Sequence, residues 1–174
     1  MKIVEVIPGI LEHDFSSIEG KLKKVENLVD WVQIDIVGDL FNNNNFTNPH
    51  AFKQLQTPVS LELHMMIHNP EKVVKDWVDA GFSRLVGHVE GINDIDRFIQ
   101  TVKEYNKEVG LALDIITPVE AIEKYLKQID QVLVMCIHTG KSGQLFMDEA
   151  LTKIKRIREL NEDIEIEVDG GIKS

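Results

Sequence analysis

The sequence predicts one α/β domain over residues 1–174: a TIM-type (β/α) barrel of parallel strands with seven of eight units present, the last helix-strand-helix missing. Three observations carry this expectation. Short apolar, β-branched runs alternate with longer amphipathic segments, the pattern of a parallel sheet covered by helices. The runs begin roughly every 25 to 30 residues, the length of one β/α unit. The turn after the first run, Ile7-Pro8-Gly9-Ile10-Leu11, carries a single glycine, whereas the competing doubly wound sheet has a Gly-rich turn there.

The expected strands are Ile3 to Ile7, Trp31 to Val37, Leu61 to Met66, Arg84 to His88, Gly110 to Leu113, Gln131 to Ile137 and Glu165 to Val168. Ser16-Ser17-Ile18-Glu19 reads as a capping box opening a helix that carries Leu22, Val25 and Leu28. Asn69-Pro70 opens another helix, with Asn as cap and Pro in the first turn, and Gly81 closes it. Asn42-Asn43-Asn44-Asn45 reads as a loop tip after the second strand. A barrel lacking its eighth strand would leave the edges of the first and seventh strands unpaired, a route to self-association, so a homo-oligomer is expected.

Composition narrows the function classes. With 43% hydrophobic and 28% charged residues the chain can bury one sizeable core. A formal charge of -10 argues against nucleic acid, which draws affinity from clustered Lys and Arg. A small anion remains compatible, because backbone N–H groups can hold one phosphate locally. The single cysteine, Cys136, lies in an apolar run and points to a reducing cytoplasm. No apolar stretch has the length of a signal peptide or a membrane span.

In such barrels chemistry gathers at the C-terminal strand ends, and four of those ends are polar. The second strand ends Gln33-Ile34-Asp35, the third Glu62-Leu63-His64-Met65-Met66, the fourth Gly87-His88-Val89-Glu90 and the seventh Glu167-Val168-Asp169-Gly170-Gly171. Gln33 and Asp35 are two apart and share a face, which should look into the barrel. Asp35 and Asp169 could then flank a small substrate, with His64 as a metal ligand or hydrogen-bond partner, as a two-base proton transfer beside a carbonyl requires. His64 between Leu63 and Met65 equally suits a satisfied core histidine, and His88 suits packing or a supporting role. The run Ile137 to Phe146 contains Gly140-Lys141-Ser142, but a nucleotide-binding loop needs a glycine at position 135, which is Met. It and Gly170-Gly171 are candidate anion rests.

The order of these motifs resembles the ribulose-phosphate 3-epimerase family over essentially the whole chain. Ile7-Pro8-Gly9-Ile10-Leu11 with Asp14-Phe15 is similar to the family's Ser-Pro-Ser-Ile-Leu and downstream Asp-Phe. Gln33-Ile34-Asp35 stands for His-x-Asp, Glu62 to Met66 for Asp-Val-His-Leu-Met, and His88-Val89-Glu90 for His-Pro-Glu. Thr117-Pro118 keeps the end of Asn-Pro-x-Thr-Pro, and Met135 to Phe146 tracks the flexible-loop motif. Glu167-Val168-Asp169-Gly170-Gly171 matches throughout. The resemblance implies interconversion of D-ribulose 5-phosphate and D-xylulose 5-phosphate through an enediolate, with a divalent metal, Zn, Fe, Mn or Co, stabilising the charge. By residue match Asp35 and Asp169 are the acid and base. Asp35, His64, Asp169 and Gln33 hold the metal. Gly9, His64, Met66, Gly140, Ser142, Gly143, Gln144, Gly170 and Gly171 contact substrate.

Four departures bear on that expectation. Gly9 replaces a serine and removes a hydroxyl. Gln33 replaces a metal-binding histidine, and its amide oxygen is a poorer ligand for zinc or iron. Asp114-Ile115 replaces Asn-Pro and is expected to add a carboxylate at the mouth. The chain ends at Ser174, so the family's Gly-Ser phosphate site after strand eight is not in it. Two rivals follow: a related barrel acting on another sugar phosphate, and a non-catalytic, self-associating barrel fragment.

Overall fold

The second to sixth apolar runs become strands because both of their faces are covered, one by helices and one by the other side of the curled sheet. The computed structural model describes residues 4–41, 45, 48–139 and 143–172. Its strands are β1 (Gly9–Ile10), β2 (Trp31–Val37), β3 (Ser60–Met66), β4 (Arg84–His88), β5 (Glu108–Leu113), β6 (Gln131–Met135) and β7 (Glu165–Asp169). All pair in parallel, in chain order β1 to β7. That order is a barrel's; a doubly wound sheet would reverse direction partway. Four α-helices lie in the crossovers: α1 (Phe15–Val25), α2 (Val74–Asp79), α3 (Ile95–Glu104) and α4 (Glu149–Leu160). Short 3-10 turns, Pro49–Gln54 before β3 and Val119–Ala121 with Glu123–Tyr125 before β6, serve the others.

Outward-facing Ile34, Ile36, Leu63, Met65, Leu85 and Leu111 are fully buried against the helical layer. Phe52 is the hub of that layer, its ring 5.0 Å from Phe15, 5.2 Å from Phe82 and 5.7 Å from Trp77. Among the described residues the inward face carries a small apolar cluster, Val86, Ala112, Leu133, Met135 and Ile137. The rest of the interior is polar: Gln33, Glu62, His64, Arg84, His88 and Gln131 are all buried. Contacts across that interior show the curl. Arg84 of β4 reaches Glu165 of β7 at 3.2 Å as well as Glu62 at 2.9 Å and Glu108 at 2.7 Å. Its guanidinium also lies 4.3 Å from the Trp31 ring centre. Among the described residues no strand pairs with the outer edges of β1 and β7.

Three local expectations need correction. Among the described residues the first strand is Gly9–Ile10 and not the expected run to Ile7, whose Ile3 lies outside them, because Gly9 stands opposite Gln33 and the ladder begins at Pro8, whose carbonyl accepts from the Gln33 amide at 3.0 Å. In that register Val4 to Val6 run past the start of β2 and find no partner, and Val4 and Val6 are 89% and 73% exposed. Helix α1 is capped by Asp14, whose carboxylate accepts from the Ser17 amide at 2.9 Å, so the capping box at Ser16 does not form and Leu28 lies beyond the helix. Asn69 does not cap its helix. It sits in the left-handed region (φ 53°) and its side chain instead accepts from the Asn93 amide at 2.5 Å. Gly81, at φ 101°, does end α2 as expected.

Candidate active site

The inward positions at the C-terminal ends of β2, β3 and β7 converge on one point. His64, fully buried, places Nδ1 3.0 Å from Asp35 Oδ1 and 3.5 Å from Asp169 Oδ2. Gln33 bridges the same two acids, its amide nitrogen donating to Asp35 Oδ1 at 2.7 Å and Asp169 Oδ2 at 3.3 Å. Ligand-type atoms of Asp35, His64 and Asp169 all lie within 4.8 Å of one another. The expected shared face of Gln33 and Asp35 is therefore the one that meets His64 and Asp169. The end of β2 is held by Asn45, which accepts from the Val37 amide at 2.6 Å and donates to the Asp35 carbonyl at 2.7 Å.

These contacts set the charges. Burial opposes a proton on His64, yet hydrogen bonds to Asp169 and Asp35 outweigh it and hold the imidazolium up to about 10. Burial pushes Asp35 up. Asp169 is held below the usual carboxylate range, because the His64 hydrogen bond overcomes its burial. Two carboxylates on one imidazole are thus set apart in proton affinity, the usual mark of an acid and base pair.

A cavity of about 570 Å³ opens above this cluster. Asp35, Asp169, Gly9, Met66, Gly143, Gly170 and Gly171 line it. Gly170 and Gly171 are obligatory here. Both have positive φ (96° and 73°), and a Cβ would sit 2.4 Å from Ile137 Cγ1 and 2.5 Å from the Phe146 nitrogen respectively. Gly9 is not crowded. A Cβ there would lie 3.6 Å from Gln33 Nε2 and 3.8 Å from Asp35 Oδ2, so the position faces the acids.

Other candidates fall elsewhere. Gln144 is absent from the cavity wall and donates to the His138 carbonyl at 2.7 Å. Gly140 and Ser142 lie outside the described residues. Asp114 adds no carboxylate to the mouth: it is buried, and its Oδ1 accepts from the Ile115 amide at 2.5 Å, capping its own loop.

The sequence underrated His88 and missed Glu62 and Glu167 as a pair. His88 Nε2 lies 2.8 Å from His64 Nε2, and its Nδ1 lies 2.9 Å from Glu90 Oε2. Burial pulls His88 below the ordinary imidazole value. Glu90 is held down to about 2: burial would raise it, but hydrogen bonds from His88, Thr117 and the Asp114 amide prevail. Below His64, burial first and the facing Glu62 second push Glu167 up to about 9. Glu62 Oε1 is buried without an N–H or hydroxyl donor. A proton on Glu167 would give the Glu62–Glu167 pair its hydrogen bond, while Arg84 satisfies the other Glu62 oxygen at 2.9 Å.

Comparison with known proteins identifies the family. The model of the ribulose-phosphate 3-epimerase family matches residues 5–174. The chain belongs to that family. Ribulose-phosphate 3-epimerase of Bacillus subtilis is 32% identical over 178 residues, an alignment covering 98% of this chain and 82% of the relative. The Synechocystis enzyme is 33% identical, with 99% and 79% covered. The Escherichia coli K12 enzyme is 29% identical, with 99% and 80% covered. Family membership places the chain among the epimerases, enzymes of the isomerase class. The tryptophan synthase α-subunit of Pyrococcus furiosus superposes with a TM-score of 0.73 over 97% of this chain and 78% of that one. At 13% identity that likeness bears on the barrel fold alone.

Proposed function

We propose that this epimerase interconverts D-ribulose 5-phosphate and D-xylulose 5-phosphate, with Asp35 and Asp169 exchanging the proton at C3 from opposite faces. The observation that carries the reading is the convergence of both acids, from β2 and β7, on His64 and Gln33 beneath one cavity. Burial favours a proton on Asp35 and the His64 hydrogen bond favours the ionised form of Asp169, which sets the two apart as acid and base. Met66 shapes the apolar wall, and Gly143, Gly170 and Gly171 leave room for backbone to approach a phosphate.

The donor set fits a divalent cation. Two carboxylates and an imidazole within 4.8 Å suit zinc, iron, manganese or cobalt. Gln33 Oε1 is buried and without a partner, so turning the amide over would direct that oxygen at the ion. Asp35, His64, Asp169 and Gln33 would hold it. The cation would supply Lewis-acid stabilisation of the negative charge that develops on the sugar oxygens beside C3. The remaining steps belong to the side chains, which orient the sugar and move its proton.

Deuterium wash-in at C3 of ribulose 5-phosphate, with added divalent metals, tests the reading. Replacing Asp35 or Asp169 by Asn should slow exchange by about 10²- to 10⁴-fold. No exchange in the wild-type chain, or no effect of either substitution, would refute it. Gly9 and Gln33 favour a second reading, a different sugar phosphate, which predicts turnover elsewhere in a substrate panel and none on pentulose phosphates.

A further inference from the structure

We propose that Glu90 and His88 are positioning residues for His64: their hydrogen-bond chain holds the Nε2 proton and so assigns Nδ1, the nitrogen facing Asp35 and Asp169, as the one that gives up its proton to a cation. The inference rests on the metal-assisted reading above and deepens it, since a ring nitrogen must be deprotonated to bind a cation.

The contacts form one chain, and the surroundings of Glu90 give it a direction. Glu90 is surrounded by donors: its Oε1 accepts from the Asp114 amide at 2.9 Å and from the Thr117 hydroxyl, and its Oε2 lies 2.9 Å from His88 Nδ1. A carboxylate so placed keeps the His88 proton on Nδ1. Neutral His88 then presents a lone pair at Nε2. The 2.8 Å contact between His88 Nε2 and His64 Nε2 has room for one proton, and it must come from His64. The nitrogen left to exchange its proton for a cation is His64 Nδ1, the atom 3.0 Å from Asp35 Oδ1 and 3.5 Å from Asp169 Oδ2. In the reverse arrangement, a cationic His88 donates to His64 Nε2 and forces the His64 proton onto Nδ1, which would bar it from a metal.

The relay is firmly mounted. Lys153 of α4 donates to the carbonyls of Asp114 (2.6 Å) and Thr117, fixing the loop after β5 that delivers both donors to Glu90. The Phe41 ring packs edge-on to His88, centres 5.0 Å apart. Thus β4, the β5 loop and α4 together fix one imidazole on β3. Carboxylates that orient a ligating histidine through its second nitrogen are a general device, and losing one costs about 10- to 100-fold in metal affinity. Here the device has an extra histidine between carboxylate and ligand.

The experiment is Zn²⁺ affinity by competition with a chelator, together with ¹⁵N spectra of the histidine rings in the zinc-loaded protein. Wild type should show His64 protonated at Nε2 with Nδ1 on zinc, and His88 neutral and protonated at Nδ1. Glu90→Gln and His88→Phe should each weaken Zn²⁺ binding about 10- to 100-fold. A folded Glu90→Gln protein with affinity within twofold of wild type overturns the proposal. So does a wild-type spectrum placing the His64 proton on Nδ1, a measurement that needs no substitution. A purely structural role for Glu90 would lower the melting temperature of the metal-free variant and leave the His64 ring shifts unchanged, which also overturns it. A wild-type chain that binds no Zn²⁺ overturns the metal reading along with this one; unchanged affinity in Glu90→Gln overturns this one alone.

Discussion

Replacing Glu167 by Gln should remove a proton that folding now requires. Folded Glu167 keeps its proton up to about 9, against 4.5 ordinarily, because it is buried and faces Glu62. Between those values the folded state binds one more proton than the unfolded state, so stability falls as pH rises, by at most about 1.4 kcal/mol per pH unit. His64 adds a fall of the same sign. Its folded value is about 10 against 6.5, so its contribution is complete below 6.5 and lost as pH rises to about 10. Gln at position 167 mimics the protonated acid: its amide can donate to Glu62, and its oxygen can accept from Gln131, which now donates to Glu167. The variant therefore keeps the His64 slope and loses the Glu167 slope. From pH 5 to 8 the ceiling on the difference is about 4 kcal/mol, and partial exposure of Glu167 reduces the expected gain to about 2 kcal/mol. The assay is urea unfolding of chelator-treated protein at pH 5, 6.5 and 8. A stability difference between variant and wild type that stays constant within about 0.5 kcal/mol over that range would show that Glu167 ionises normally in the fold.

Gln33→His should tighten Zn²⁺ binding by about tenfold or more, since imidazole is the better ligand and the buried unpartnered Gln33 Oε1 disappears; chelator competition measures it. Gly171→Ala should destabilise the chain by about 1–3 kcal/mol in urea unfolding, because φ is 73° and the new Cβ would meet the Phe146 nitrogen at 2.5 Å. It should also raise KM, as Gly171 lines the cavity.

The strands from β2 to β7 were legible because each is an apolar run bounded by turn residues, and their spacing already implied the barrel. The first strand was misread because composition reveals β-propensity but not where the neighbouring strand begins; Val4 to Val6 are β-branched at two of three positions and still unpaired. The helix caps failed for a related reason. Asp14 and Ser16 are equally good caps by type, and only the chain path decides which carboxylate or hydroxyl meets the free amides. Asp35, His64 and Asp169 could be found because polar residues stand out at the ends of apolar strands. His88 meeting His64, and Glu167 meeting Glu62, could not, since both depend on how far the sheet curls and strand pairing alone does not fix that.

The curl also explains why an acidic interior is tolerated. Arg84 at the base of the barrel answers Glu62, Glu108 and Glu165, so one buried cation meets three carboxylates. A fourth negative charge at Glu167 would stand two residues below Asp169 on the same strand face, and the two repel. Left ionised, Glu167 would push Asp169 up and narrow its difference from Asp35. Kept neutral by its burial and by Glu62, it insulates the upper acids from the charges below. Its protonation is then a cost in stability that preserves the difference in proton affinity between Asp35 and Asp169. Glu167→Gln should therefore gain stability at pH 8 while leaving C3 proton exchange intact. Loss of exchange in a stabilised Glu167→Gln protein would mean instead that the carboxyl group itself, and not merely its neutrality, serves the site.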